Sequence, residues 1–268
     1  MTTWCNGQFV ESLSLDVNER GLMLGDGLFE TLAVHHGKAI WLEEHLTRMR
    51  DAASELGIPF IKDEVNFAVT AILQKSAAPS EVLRITLTRG PTARGLAAQA
   101  TKPSLILSLN PFDKSKLPAT IRLATSSICR NPSSPTSRMK TLNYLDNIIA
   151  ARAASASADD ALMLNTEGNV ACSTVGNIFA LTGDFLTTPA LDQGILPGIV
   201  RAKIIQGAKQ LGLRIAESVL APAELPKAEA IFLTNSLRLA TPVSTIDGAV
   251  CRTRDISFIN DFLNRSFT

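Results

Sequence analysis

Between Leu28 and Trp41 the chain reads LFETLAVHHGKAIW: an extended apolar run, a turn carrying Gly37 and a second short run, the pattern of a β-hairpin. From Leu42 the period changes. Leu42, Leu46, Met49, Ala53 and Leu56 recur at steps of three and four, which predicts an amphipathic helix stopped by Gly57 and Pro59. Arg48 falls off that stripe, near His45 and Ala52. A second helix is expected over Glu64 to Lys75. Strands follow at VLRITLTRG, where Leu83, Ile85 and Leu87 alternate with Arg84, Thr86 and Thr88, and at SLILSL. The first half therefore reads as α+β.

NPFDKSKLP, Asn110 to Pro118, breaks the apolar pattern with two prolines and several charges, and a domain boundary is expected there, giving domains 1–112 and 113–268. After the strand TIRLAT, the serine- and proline-rich stretch Ser126 to Ser137 reads as a loop delivering the chain to Lys140. A helix is expected from about Asn143 to Ser157. Strands are expected at ALMLN, NVACS, NIFAL and DFLTT, with NTEGN and TGD as turns. LPGIVRAKIIQGAKQLG predicts a helix entered through Pro197 and Gly198 and ended by Gly212. Strands at RIAES, AIFLTN and PVSTIDG and a short terminal helix complete the second half.

Composition narrows the function classes. The 268 residues are 46% hydrophobic and 19% charged, with formal net charge +1, and no basic run exceeds two residues. Nucleic acid and anionic membrane are not expected partners. No secretory leader or run of about 18 apolar residues is readable, so a cytoplasmic protein is expected. Cys5, Cys129, Cys172 and Cys251 form no CxxC pair and read as reduced thiols. With only His35, His36 and His45, a metal centre or a Ser/His/Asp triad has little to draw on. Any chemistry falls to lysine or to a cofactor.

Two element starts could hold an anion: GILPGIVR, with unpaired amides at a helix N-terminus, and TNSLRLATP, where Thr234, Asn235 and Ser236 follow an apolar strand. Either could equally be a simple cap. Lys140, in SRMKTLNYLDN, is a solvated charge at a helix entry or, if burial or a cationic neighbour lowers its pKa, a nucleophile toward a carbonyl. A lysine condensing with an aldehyde cofactor, two phosphate-cradling starts and a guanidinium such as Arg48 would together form a coherent pyridoxal phosphate site.

The segments NERGLMLGDGLFETLAVHHG, HLTRMRDAASELGI, RMKTLNYLDNIIA, EGNVACSTVGNIF and LDQGILPGIVR resemble the class IV aminotransferases, pyridoxal 5'-phosphate enzymes of fold type IV. That group includes branched-chain aminotransferase, D-amino acid aminotransferase and aminodeoxychorismate lyase. The resemblance covers nearly the whole chain. It implies a smaller N-terminal α/β domain, a larger C-terminal pseudo-barrel domain carrying Lys140, an active site between the two, and a homodimer. It implies an amino donor and a keto-acid acceptor as substrates. Lys140 would be the Schiff-base lysine and proton carrier, and Arg48 the phosphate-binding arginine. Ile199 and Val200 would give amides to the phosphate, and Leu196 would pack on the pyridine ring. Ser236 with Leu237 would complete the phosphate cup. Tyr144 would bond the phenolic oxygen, and Asn177 would be a polar residue beneath the site. Phe29 and Arg94 would meet substrate, Arg94 at a carboxylate or in a surface salt bridge.

One position departs from the pattern. Cys172 stands where the family carries a glutamate that keeps the pyridine nitrogen protonated, and Glu167 falls in the preceding turn. A neutral thiol weakens the electron sink, so slower transamination or a shifted reaction preference is expected; the alternatives are another contact to the nitrogen, or a cysteine that merely packs. Phe29, and Leu96 in TARGLAA, depart from the D-amino acid branch. GDGLFET, ARG and KTLNYL lie closer to the lyase branch, which makes 4-aminobenzoate.

Overall fold

The computed structural model describes residues 1–99 and 102–267. The chain forms two compact units, one of Met1–Lys114 with Lys140–Asn143 and the other of Ser115–Met139 with Tyr144–Thr268.

The first unit contains β1 (Thr2–Cys5), β2 (Gln8–Val10), α1 (Arg20–Leu24), β3 (Gly27–His35), β4 (Lys38–Ala39), α2 (Leu42–Leu56), α3 (Lys62–Leu73), β5 (Ser80–Thr88) and β6 (Ser104–Pro111). Its sheet runs β2-β1-β6-β5-β3-β4, antiparallel throughout. The predicted hairpin is β3 and β4, and the alternation read in β5 decides its two faces. Leu83, Ile85 and Leu87 are buried in line with Leu28, Glu30 and Leu32 of β3, while Arg84 and Thr86 face the other way with Phe29 and Thr31. Helix α2 packs on β3, and α3 packs on β6 and β1. Leu46, Met49 and Ala53 of the α2 stripe are buried, Leu42 and Leu56 at its ends only partly, and the buried face also takes in His45 and Ala52. A left-handed Gly57 (φ 63°), whose amide bonds back to Ala53 and Ser54, ends the helix. Helix α3 starts and stops two residues earlier than expected.

The second unit contains β7 (Ile121–Thr125), α4 (Leu145–Ala154), β8 (Asp160–Leu164), β9 (Val170–Ser173), β10 (Asn177–Thr182), β11 (Phe185–Pro189), α5 (Ile199–Gly207), β12 (Arg214–Ser218), β13 (Ala230–Asn235), β14 (Leu239–Ile246), β15 (Ala249–Val250) and α6 (Ser257–Asn264). Strands β10, β13, β14, β7, β8 and β9 pair in that order, and β9 returns to β10 through Cys172 and Asn177. The six strands thus close into a ring, the expected pseudo-barrel. Ile121, Leu123, Leu162, Ile178, Leu233 and Val243 belong to its apolar cluster. Strands β11 and β12 extend from the free half of β10.

Two expectations change. The unit boundary falls at Lys114/Ser115 instead of 112/113, because Phe112 still bonds through its amide to Ser80 at the end of the first sheet. Lys140 groups with the first unit, not the second. The Phe29 amide donates to the Lys140 carbonyl and the Leu142 amide to the Gly27 carbonyl, both at 2.9 Å, with Leu28 opposite Thr141. Residues 140–142 therefore extend the edge of β3 that β4 leaves unpaired. This also delays the following helix, which starts at Leu145 rather than Asn143.

Candidate active site

In the first unit, the bridge between Leu28 and Thr141 puts Lys140 directly beside Phe29 on the same face of the sheet. The Lys140 Nζ lies 4.3 Å from the centroid of the Phe29 ring, and Arg84 of β5 places its Cζ 3.9 Å from the same centroid. Burial pushes the Lys140 ammonium down to about 8; Glu30 opposes that shift, and Arg48 and Arg84 add to it. A lysine so placed is largely protonated at neutral pH yet loses its proton far more readily than a surface lysine, as a nucleophilic amine requires.

Behind Phe29, on the opposite face of β3, Glu30 is 1% exposed. Such a carboxylate survives only if its oxygens are bonded. Arg48 Nε donates to Oε1 at 2.8 Å and Nη2 to Oε2 at 2.6 Å, while His45 Nδ1 lies 2.7 Å from Oε2. Although burial alone would raise it, these partners hold the Glu30 carboxyl down at about 2. His45, wholly buried, has its pKa lowered by desolvation against the pull of Glu30, so its ring is neutral and donates. Helix α2 thus presents Arg48 already fixed in a fork by Glu30. Neither Glu30, Arg84 nor the role of His45 was identified from the sequence. A readable signal existed: Glu30 shares the buried parity of Leu28 and Leu32.

In the second unit, α5 begins at Ile199 and Val200, both buried, with Gly198 as its N-cap and no side-chain capping bond. Asn177 sets that start. Its Nδ2 donates to the Leu196 carbonyl at 2.9 Å, and its Oδ1 would lie 1.9 Å from a Cβ built on Gly198. Only glycine allows this approach. After β13, Asn235 Oδ1 accepts from the amides of Leu237 (3.1 Å) and Arg238 (2.9 Å), an Asx turn with half-buried Ser236 at its tip. The amide of Leu237, a residue expected in the phosphate cup, is therefore already bonded within the turn. Tyr144 is the N-cap residue of α4.

Cys172 is buried on β9 among Ala161, Met163, Ala171 and Ile195. Burial and the nearby Asp160 push its thiol up, against Arg130, to about 11. It is a neutral S–H group. A small separate pocket has Asp160, Ser173, Asn235 and Arg238 among its lining, and the buried Oδ2 of Asp160 makes no hydrogen bond. Arg94, the expected carboxylate ligand, is exposed in a loop whose Gly95 and Leu96 carbonyls accept from Arg20 at 2.8 and 3.0 Å. Among the described residues no cluster of potential metal ligands exists.

Comparison with known proteins decides the family. The sequence model described as amino-transferase class IV matches residues 27–246. The chain belongs to the class IV aminotransferases. This class IV chain is 32% identical over 274 residues to a provisionally named branched-chain-amino-acid aminotransferase of Methanocaldococcus jannaschii, covering 100% of this chain and 95% of that one. It is 27% identical to the aminodeoxychorismate lyase of Bacillus subtilis, over 91% of this chain and 86% of the relative. In structure it resembles the branched-chain aminotransferase of Thermoproteus uzoniensis with norvaline, at TM-score 0.90 and 28% identity, covering 99% and 94% of the two chains. The family is one of pyridoxal phosphate enzymes. Its two-domain architecture with a pseudo-barrel, expected from the motifs, is the architecture observed.

The residues present suit that cofactor. A half-buried lysine of lowered pKa can join an aldehyde, an oriented arginine can meet a phosphate, and the uncapped amides opening α5 can do the same. Cys172 is a poor match, since it has no charge with which to hold a protonated ring nitrogen.

Proposed function

We propose that this class IV enzyme is an aminotransferase acting on a small amino acid, with Lys140 as covalent anchor and proton carrier. The observation that carries this reading is the setting of Lys140: half-buried, its pKa lowered by desolvation to about 8, and held to β3 by backbone bonds that place its ammonium over Phe29. When bound, the cofactor supplies an electron sink that acidifies the Cα–H of an amino acid.

The chain's own residues do the rest. Lys140 Nζ takes and returns the proton, and its moderate basicity suits both directions near neutral pH. In the first unit Arg48, pinned by Glu30, would meet the phosphate, and Phe29 would form a wall beside the reacting carbon. In the second unit the Ile199 and Val200 amides and Ser236 would meet the phosphate, while Leu196 would pack on the ring. Tyr144 would bond the ring oxygen, and Asn177 would hold the Leu196–Gly198 segment in place. Helix α4 leaves Leu145, Ile148 and Ile149 exposed on neighbouring turns, which supports a homodimer. Four free cysteines support residence in a reducing compartment.

Incubation with pyridoxal 5'-phosphate and borohydride, followed by peptide mass spectrometry, tests the anchor. Label on Lys140, lost in Lys140→Ala, is the expected result; label confined to another lysine refutes it.

Cys172 favours a second reading, in which transamination is slow or the reaction turns toward elimination of the lyase type. A neutral thiol where a carboxylate is expected supports it. Cys172→Glu should raise the single-turnover rate with an amino donor; an unchanged or lower rate counts against this reading.

A further inference from the structure

At one end of the six-stranded ring a buried carboxylate lacks a counter-charge among the described residues. Strands β7, β8 and β14 run parallel, while β9 and β13 run against their neighbours. Asp160 and Thr241, near the starts of β8 and β14, therefore lie at the same end as Ser173 at the close of β9. Asp160 shares the parity of Leu162, a member of the ring's apolar cluster. With Ser173, Thr241 and Arg238 it lines a small pocket above Ile121 and Leu233.

Asp160 is 4% exposed. Its Oδ1 accepts from the Ala161 amide (2.7 Å), the Thr174 amide (3.3 Å) and the Thr174 hydroxyl, whereas its Oδ2 is buried without a hydrogen bond. A carboxylate oxygen so placed needs a donor or a cation. The polar hydrogens nearby are already spent. The Ser173 hydroxyl donates to the Gly176 carbonyl (3.4 Å), the Thr241 hydroxyl to the Arg238 carbonyl (3.5 Å), and the Val175 amide to Ser173 Oγ (3.4 Å). What these groups have left is lone pairs.

Arg238 is the cation of the lining, but the pocket encloses room for only about one water molecule, too little for a planar guanidinium. Potassium and ammonium ions match a water molecule in size. One carboxylate with hydroxyl oxygens suits a hard, singly charged ion, and the charge of half-buried Arg238 disfavours a doubly charged one.

We propose that this pocket binds a monovalent cation of potassium size, held by Asp160 Oδ2 and the lone pairs of Ser173 Oγ and Thr241 Oγ1. The ion braces two segments. Asp160 Oδ1 holds Thr174, in the turn that leads to Asn177 and so to the start of α5, and Thr241 bonds the end of the Asn235 turn. Both segments belong to the proposed phosphate site, so the ion should tighten pyridoxal phosphate uptake. That coupling rests on the cofactor reading above; the ion site does not.

The test uses the whole chain, with and without pyridoxal phosphate, in potassium, ammonium, sodium or tetramethylammonium chloride at one ionic strength. Rubidium is the ion counted by equilibrium dialysis. About one rubidium should bind per chain, displaced by potassium and ammonium and not by the oversized tetramethylammonium. The melting temperature should be at least about 2 °C higher in potassium than in tetramethylammonium. Asp160→Asn keeps an oxygen for Thr174 while removing the charge, and should abolish both effects. Ser173→Ala, which keeps the carboxylate, should weaken rubidium binding at least about threefold, and Arg238→Gln should strengthen it. No bound rubidium, or one melting temperature in all four salts, overturns the proposal and leaves the pocket to water. Rubidium binding that survives Asp160→Asn overturns it too. So does a parent without rubidium whose stability falls equally in Asp160→Asn and Arg238→Gln, since Arg238 is then the counter-charge. Pyridoxal phosphate uptake, followed by absorbance, should be about fivefold tighter in potassium than in tetramethylammonium, and equal uptake overturns the coupling. If the chain takes up no pyridoxal phosphate, the cofactor reading fails while rubidium dialysis still reads the ion site.

Discussion

In the first unit the groups around Lys140 are formal charges, Glu30, Arg48 and Arg84, each acting through a side chain. In the second, the groups proposed to meet the cofactor are largely neutral: the amides of Ile199 and Val200 and Ser236 in the Asx turn of Asn235 for the phosphate, and the thiol of Cys172 for the ring nitrogen. Charged side chains can be titrated and removed one at a time. Backbone dipoles cannot, so the second arrangement depends on the path of the main chain. The two units should therefore fail in different ways.

The largest effect belongs to Lys140→Ala, which should lower amino-donor turnover by more than about a thousandfold with little change in fold, read by steady-state kinetics and circular dichroism. Glu30→Gln comes next. It leaves Arg48 short of its counter-charge in a buried setting and should cost about 3–5 kcal/mol in urea unfolding. Its pH signature has a definite sign. The folded carboxyl is held at about 2, below its ordinary 4.5, so its contribution is complete above 4.5 and is lost as pH falls toward 2. Glu30→Gln should flatten the stability curve over that window. Lys140 gives the same sign in a higher window: folded near 8 against 10.5, it binds fewer protons than in the unfolded chain, so cofactor-free stability rises between those values. Lys140→Met should remove that rise.

For the second unit, Gly198→Ala is the sharper tool, since its Cβ would strike Asn177 Oδ1 and displace the start of α5. Destabilisation of about 1–3 kcal/mol is expected, with weakened pyridoxal phosphate uptake and no new pH dependence. A pH-dependent loss would blur the contrast between the units. The smallest effect is that of Cys172→Ala, under about 1.5 kcal/mol because a small apolar side chain replaces a neutral one. Thiol labelling of the parent at pH 8 should accordingly reach exposed Cys129 and spare Cys172.

Much of the local structure was legible because it is written in neighbouring residues. The hairpin of β3 and β4, the α2 stripe, the alternation in β5 and the strands of the ring all follow short-range periods. Positions joined across long sequence separations were not legible. Lys140 meets Phe29 from more than a hundred residues away, through a bridge of only a few residues with no periodicity of its own. Glu30 finds Arg48 and His45 only once α2 folds onto β3, and Arg84 reaches Phe29 only once the strands are in register. The motifs supplied Lys140 and Arg48 by resemblance; the charges that tune them required the fold.

The short bridge at Lys140–Leu142 also constrains how this chain can be cut and recombined. A fragment ending at Lys114 would keep the whole six-stranded sheet but leave the Gly27–Phe29 edge of β3 unpaired, exposing an open template for aggregation. The missing piece is carried on the polypeptide of the other unit. The two units are therefore not interchangeable cassettes: a hybrid that joins either one to a foreign partner must also transplant residues 140–143, or it inherits a sheet with a gap where its lysine belongs.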